Sequence, residues 1–276
     1  MVRGRAGAAA VKDAWRLAVG TLTVLPVRPP ASADRRTAGT AMTLAPLVGL
    51  VLGLLVLAPL WLLGAARWPN PVAAPPVAAA LAVAAVAALT RGMHLDGLAD
   101  TADGLGSGRP PEDALEVMRR GDVGPFGVAA VVLCLLLQVV ALEVCLSRGP
   151  GPLALVGGLV AGRAVLPVLC RRGVPAARPR GLGATVAGSV AARGLLLSLV
   201  LTVASLALAA AVPGGPPSAA TGWTVLRPAV ALLASYAVGW GWGRHCVRRL
   251  GGVTGDVLGS TVELSTTAWL VVMSLG

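Results

Sequence analysis

Apolar residues run along this chain in long blocks, separated by short charged or Pro/Gly-rich intervals. The blocks lie at about 40–64, 72–90, 124–147, 152–170, 194–212, 225–243 and 257–275, each near the 19 to 25 residues a helix needs to cross a hydrocarbon core of about 30 Å. The pattern predicts an all-α, polytopic integral membrane protein of about seven transmembrane helices, forming a single membrane-embedded domain over residues 1–276. Trp15 to Leu25 is apolar but short and is flanked by Arg16 and Pro26, so it reads as an interfacial or re-entrant segment. Ala6 to Val11 is too short for the apolar core of a cleavable signal. Residues 91–123 form the longest charged connection, with a turn over Gly106–Pro111 between two short helices, Pro111 taking a first helical position. Residues 213–224, rich in Pro and Gly and uncharged, read as a plain linker on the opposite side.

Composition agrees with this reading: 56% of residues are apolar, 13% are charged and the mean hydropathy is +0.80, too little polar surface to cover a soluble globule. A net charge of +11 invites a nucleic-acid partner, but in a membrane protein the placement of the basic residues matters more than their sum. All but four of the 23 fall in the N-terminal arm or in the connections 91–123, 171–193 and 244–256; Arg67 and Arg148 lie in opposite loops, and Arg163 and Arg227 lie inside spans. The bias predicts a cytoplasmic N-terminus and an outside C-terminus, with a lipid bilayer as the chain's surroundings and no nucleic acid. The acids follow the same partition, all but Glu143 and Glu263, so the chemistry is expected to face the cytoplasm. Cys134, Cys145, Cys170 and Cys246 have no metal or redox spacing and read as small apolar fillers. Small-residue pairs such as Gly158 with Gly162 favour close helix packing and leave oligomeric state open.

The candidate chemistry centres on Met93–Gly104, where Asp96, Asp100 and Asp103 are spaced i, i+4, i+7 and share a helical face about 60° wide. Three aligned carboxylates repel unless a cation neutralises them, and Mg²⁺ with bound water and a phosphorylated ligand fits that geometry. A solvated acidic face would more often use Glu, the better helix former. Glu112 and Glu116, by contrast, read as a solvated face, followed by Arg119 and Arg120 as C-terminal cations.

A second candidate is Leu250–Gly259, where a Gly-rich turn enters a helix and Thr254 and Gly255 offer backbone N–H groups to a phosphate. It lacks the Gly-Lys-Ser/Thr of a P-loop. Asp256 and Glu263, seven apart, share a face, and an acid inside a span is costly unless paired or functional. Arg163, at mid-span, calls for a carboxylate or a ligand anion. Arg171 opens a basic loop that suits an anionic ligand and equally a positive-inside determinant. His94 is compatible with helix capping, substrate binding or proton transfer.

These residues resemble the membrane-bound cobalamin synthases, the adenosylcobinamide-GDP ribazoletransferases. His94-Leu95-Asp96-Gly97-Leu98-Ala99-Asp100-Thr101-Ala102-Asp103-Gly104 is similar to that family's signature, and Gly252–Gly259 with Glu263-Leu264 to its C-terminal motif. Leu25-Pro26-Val27, Pro46-Leu47-Val48-Gly49, Glu116-Val117-Met118 and Gly181-Leu182-Gly183 extend the similarity over nearly the whole chain. Two positions depart from it: Arg120-Gly121-Asp122 inverts the charge order of an Asp-Ser-Arg/Lys run, and Arg163 follows Gly162 where Ser is common. The resemblance implies a Mg²⁺-dependent transferase joining adenosylcobinamide-GDP to α-ribazole or its 5′-phosphate, with release of GMP, in the cell membrane. From the residues themselves, Asp96, Asp100 and Asp103 are expected to hold the cation with Asp256 completing the site, His94 and Glu263 are further catalytic candidates, and Arg119, Arg120, Arg163, Arg171, Thr254 and Gly255 are candidate substrate contacts.

Two other classes compete. A CDP-alcohol phosphotransferase also carries an Asp-Gly-x-x-Ala cluster, but its signature has Arg after that Ala, where this chain has Asp100 after Ala99. A cation-coupled transporter would hold acids at the midplane of repeated, broken helices, and here they sit in one-sided loops without an internal repeat.

Overall fold

The computed structural model describes residues 2–62, 74–148, 150–212 and 222–275, with side chains from residue 8 onward. They form thirteen helices: α1 (Val2–Leu22), α2 (Arg35–Thr43), α3 (Ala45–Leu62), α4 (Pro75–Leu89), α5 (Met93–Gly106), α6 (Pro111–Val117), α7 (Pro125–Arg148), α8 (Gly151–Ala164), α9 (Leu166–Leu169), α10 (Leu182–Val186), α11 (Ala192–Ala210), α12 (Gly222–Leu250) and α13 (Gly255–Ser274). Among the described residues there is no strand, and the two isolated bridges pair Arg171 with Val190 and Ala176 with Val253. Residues 63–73 and 213–221, which include Arg67 and most of the expected external linker, lie outside the described residues.

The all-α membrane architecture is as expected, but the count of seven spans is not reached. Among the described residues, five helices are long and apolar enough to cross a bilayer: α3, α7, α8 with α9, α11 and α13; the number is six if the bent pair α4 and α5 counts as one. The block at 72–90 falls short because α4 has 15 residues, about 22 Å at 1.5 Å per residue. It stops where Arg91 and Gly92 turn left-handed, with φ of 53° and 66°, and α5 leaves at 86°. We therefore treat α5 as lying outside the five spans. The block at 225–243 belongs to α12, whose 29 residues suffice in length; Arg227, Arg244 and a Trp/Gly run dilute its apolar character. The N-terminal segment is a longer helix than Trp15–Leu25, beginning at Val2, and it is not among the spans.

Burial separates the centre of the bundle from its rim. The spanning windows of α8 with α9 and of α13 are 89% and 72% buried, against 28% for α7 and 22% for α11. α7 and α11 therefore present Val132, Leu133, Leu136, Leu196, Val200 and Val203 outward, where lipid hydrates nothing and no apolar penalty arises. At the centre, Trp269 is fully buried and donates its indole N–H to the Ala154 carbonyl at 3.0 Å, tying α13 to α8. Ser235 donates to the Ser265 carbonyl at 2.9 Å and joins α12 to α13. Such hydrogen bonds fix helix register where packing of small residues alone would permit sliding. All four cysteines are free and buried, as fillers should be.

Candidate active site

The aspartate motif is helical throughout α5, and Asp96 occupies its first turn, where a carboxylate favours the positive end of the helix. α5 packs on α13 at the motif itself. A Cβ on Gly97 would lie 2.7 Å from the Asp256 carbonyl oxygen and 2.9 Å from its Cα, so glycine is what lets the two helices meet with Asp96 and Asp100 beside the start of α13. The two motifs, 160 residues apart in sequence, thus form one site.

α13 begins with Thr254 as N-cap, its hydroxyl oxygen accepting from the Val257 N–H at 3.1 Å and its O–H reaching Asp256 Oδ2 at 3.2 Å. The loop before α10 is clipped to this turn by two backbone hydrogen bonds, Val253 N–H to the Pro175 carbonyl at 2.9 Å and Ala177 N–H to the Val253 carbonyl at 3.1 Å. The clip delivers Arg178, whose Nη1 lies 3.5 Å from Asp256 Oδ2 while Nη2 donates to the Leu115 carbonyl of α6 at 2.8 Å. Of the basic loop it is thus Arg178, not singled out from the sequence as a site candidate, that lies beside Asp256, whereas Arg171 donates to the Val168 carbonyl at 2.7 Å.

Asp96 and Asp256 line a cavity of about 230 Å³ whose other walls include His94, Met42, Leu166, Leu182, Gly255 and Val262. Asp100 is half-buried beside them. Its carboxyl is pushed up to about 6, first by burial and then by the negative charges of Asp96, Asp256 and Asp103, with Arg178 acting in the opposite direction. Asp103 is used differently. Its two oxygens accept the N–H groups of Gly124 at 2.7 Å and Gly127 at 2.9 Å, capping the start of α7, and a Cβ on Gly127 would collide with the carboxylate.

Among the described residues, no three His, Cys, Asp or Glu side chains as placed converge closely enough to hold a metal ion. The donor chemistry nevertheless fits a hard divalent cation: carboxylate oxygens of Asp96, Asp100 and Asp256 on two packed helices, where burial and then the neighbouring negative charges lift Asp100.

The remaining candidates fall into four groups. His94 is 5% exposed, its Nδ1 has no partner, and burial followed by the charge of Arg163 holds the imidazole down to about 3. Glu263 lies about 10 Å further along α13 than Asp256, at 1.5 Å per residue. It accepts from Gln138 Nε2 at 2.8 Å and shares a void of about 20 Å³ with Arg163, whose Nη1 donates to the Leu159 carbonyl at 3.2 Å. This buried set joins α7, α8 and α13 within the bundle. Arg119 forms an exposed ion pair with Glu116 at 3.4 Å, and Glu112 is exposed. Arg120 and Asp122, the residues of the inverted charge order, line a separate cavity of about 260 Å³ together with Asp103 and Arg109.

Residues 14–274 match the family model described as cobalamin-5-phosphate synthase. Among curated proteins, the chain is 45% identical over 263 residues to an adenosylcobinamide-GDP ribazoletransferase of a Nocardioides species, covering 95% of this chain and 98% of that one. It is 41% identical over 272 residues to the enzyme of the same name from Frankia casuarinae, covering 94% of each, and 35% identical over 266 residues to that from Corynebacterium efficiens, covering 93% and 89%. No solved structure matches.

Proposed function

Because the chain belongs to the cobalamin-5-phosphate synthase family and is an enzyme of that kind, we propose that it transfers the cobinamide-phosphate part of adenosylcobinamide-GDP to α-ribazole or its 5′-phosphate. The products are adenosylcobalamin, or its 5′-phosphate, and GMP. A ribose hydroxyl oxygen forms a bond to the phosphorus that carries cobinamide, the bond from that phosphorus to the GMP oxygen breaks, and the hydroxyl proton departs. The observation that carries this reading is that Asp96 and Asp256 line one cavity, with Asp100 and Arg178 beside Asp256.

Negative charge gathers on the diphosphate as GMP leaves, and catalysis of such a step is chiefly electrostatic and positional. Asp96, Asp100 and Asp256 would hold Mg²⁺, with Asp103 adding its charge from behind. The bound ion would neutralise the diphosphate oxygens. Arg178, already turned towards Asp256, supplies a fixed positive charge to the same region and ties it to α6. Thr254 orders the start of α13, so that Asp256 and Gly255 keep their positions at the cavity wall. His94, neutral because its pKa is held so low, is better suited to shaping the apolar wall than to accepting a proton at neutral pH.

The apolar helices make the chain a multi-pass membrane protein, and the gathering of its basic loops at the active-site end supports a site facing the cytoplasm from the cell membrane. The test is direct. Purified protein in detergent, given adenosylcobinamide-GDP, α-ribazole or its 5′-phosphate, and Mg²⁺, should release GMP and form a cobalamin in equal amounts. Absence of both products from folded protein would end this reading.

A further inference from the structure

A cavity of about 580 Å³ lies away from the aspartates. Arg35, Arg36, Arg172 and Arg193 line it, with Gly188 and Ser189 in its wall. We propose that it is a second binding site, separate from the carboxylate site, for the phosphate of a phosphate ester.

The four arginines come from three segments that the fold draws together. Arg35 and Arg36 open α2, Arg193 lies in the first turn of α11, and Arg172 is set beside them by its N–H bond to the Val190 carbonyl at 3.0 Å. A Cβ on Gly39 would collide with the Ser189 carbonyl, so α2 sits directly against the loop that forms the wall. Gly188 has φ of +64°, and its missing side chain leaves the space that Arg35 occupies, Nη2 lying 2.8 Å from where a Cβ would be.

Four like charges facing one concavity repel, and among the described residues none of these guanidiniums has a carboxylate partner. Asp34, next to Arg35 in sequence, is turned to the Thr37 N–H at 2.8 Å and does not line the cavity. A positive-inside bias accounts for arginines on one side of a membrane, but not for their convergence on one pocket. Guanidinium forks match phosphate oxygens in geometry and charge, and the volume suits a bound small molecule. The pocket is distinct from the catalytic one: Met42 of α2 lines the carboxylate cavity, whereas Gly39, Thr40 and Thr43 line this one, so α2 stands between them.

The chemistry has two possible sources. Leu197 lines the pocket, and on the same helix Leu196, Val200 and Val203 are 65%, 55% and 55% exposed on a membrane-facing surface. The mouth therefore lies near the level of lipid headgroups, where an anionic phospholipid could seat its phosphate. A soluble phosphate ester could reach the same arginines from water.

The experiment separates these sources and reads no turnover, so it stands apart from the proposed reaction. Full-length protein, Arg172→Gln/Arg193→Gln, Arg36→Gln and the control Arg248→Gln/Arg249→Gln are compared in zwitterionic detergent. One arm measures retention of phosphatidylglycerol against phosphatidylcholine by native mass spectrometry. The other measures the rise in melting temperature with inorganic phosphate. Wild type and control should bind in at least one arm, and the double variant should bind about tenfold less or weaker still, the loss expected for two charge-assisted contacts. Arg36→Gln, exposed and free of packing duties, should show a smaller loss and guards against misfolding of the double variant. Phosphatidylglycerol selectivity alone would identify a lipid headgroup; a phosphate response alone would identify a soluble ester. No binding by wild type in either arm, an equal loss in the control, or unchanged binding in both cavity variants would overturn the proposal.

Discussion

Asp100 stands among three other carboxylates with one guanidinium nearby, so it is the residue at which loss of charge should be felt most. Asp100→Asn is expected to lower kcat by about 10²-fold or more in the GMP-release assay, the scale of losing one electrostatic stabiliser. Glu112→Gln removes an exposed acid nearby and should be almost silent; equal activity and equal Mg²⁺ dependence in the two variants would reduce the aspartate face to ordinary surface charge. The raised pKa also fixes the sign of a pH effect. A carboxyl lifted from 3.8 to about 6 on folding takes up a proton more readily in the folded state. Its contribution therefore disfavours the folded state above that pH and is relieved as the pH falls through it. Melting measured with a chelator should show this term as a gain from about pH 7 to pH 5 in wild type relative to Asp100→Asn. Saturating Mg²⁺ should remove the difference, and a loss in place of the gain would contradict the burial and repulsion described above.

At the scale of elements, the joint between α5 and α7 depends on Asp103. Asp103→Ala strands two N–H groups at the start of α7 and should cost about 1–3 kcal/mol in unfolding free energy. Asp103→Asn retains an acceptor and should cost less, and its turnover should fall less than that of Asp100→Asn. Equal catalytic losses at 100 and 103 would instead favour direct cation binding by both. Much at this scale was legible in sequence because helix starts and stops are local: Pro111 opens α6, Gly106 closes α5, and the Gly-rich turn leads into α13, although the capping role of Thr254 there was not read. The end of α4 falls where the apolar block ends, but the 86° bend into α5 was not legible, because a left-handed Arg91 carries no composition signal.

Over the whole molecule, the basic loops and the site share one end of the bundle, so a topology experiment tests both. A single cysteine introduced at Ser107 should resist an impermeant reagent applied to intact cells, and one at Ser218 should react; the reverse pattern would place the site outside. Composition and apolar run length by themselves determined that this is an all-helical membrane protein, because the bilayer imposes its thickness on every crossing segment. Local spacing likewise determined that Asp96, Asp100 and Asp103 share one helix, because 3.6 residues per turn is a property of the backbone. Tertiary structure alone decided what those carboxylates face. Arg178 rather than Arg171 reaches Asp256, because pairing of Pro175 and Ala177 with Val253 sets the loop's register. Asp103 turns to α7 while Asp100 stays with Asp256, and Glu263 meets Gln138 deep in the bundle, contacts 125 residues apart in the last case. Side-chain partners across such separations depend on how helices cross and how closely glycines let them approach, and neither is a function of any short stretch of sequence.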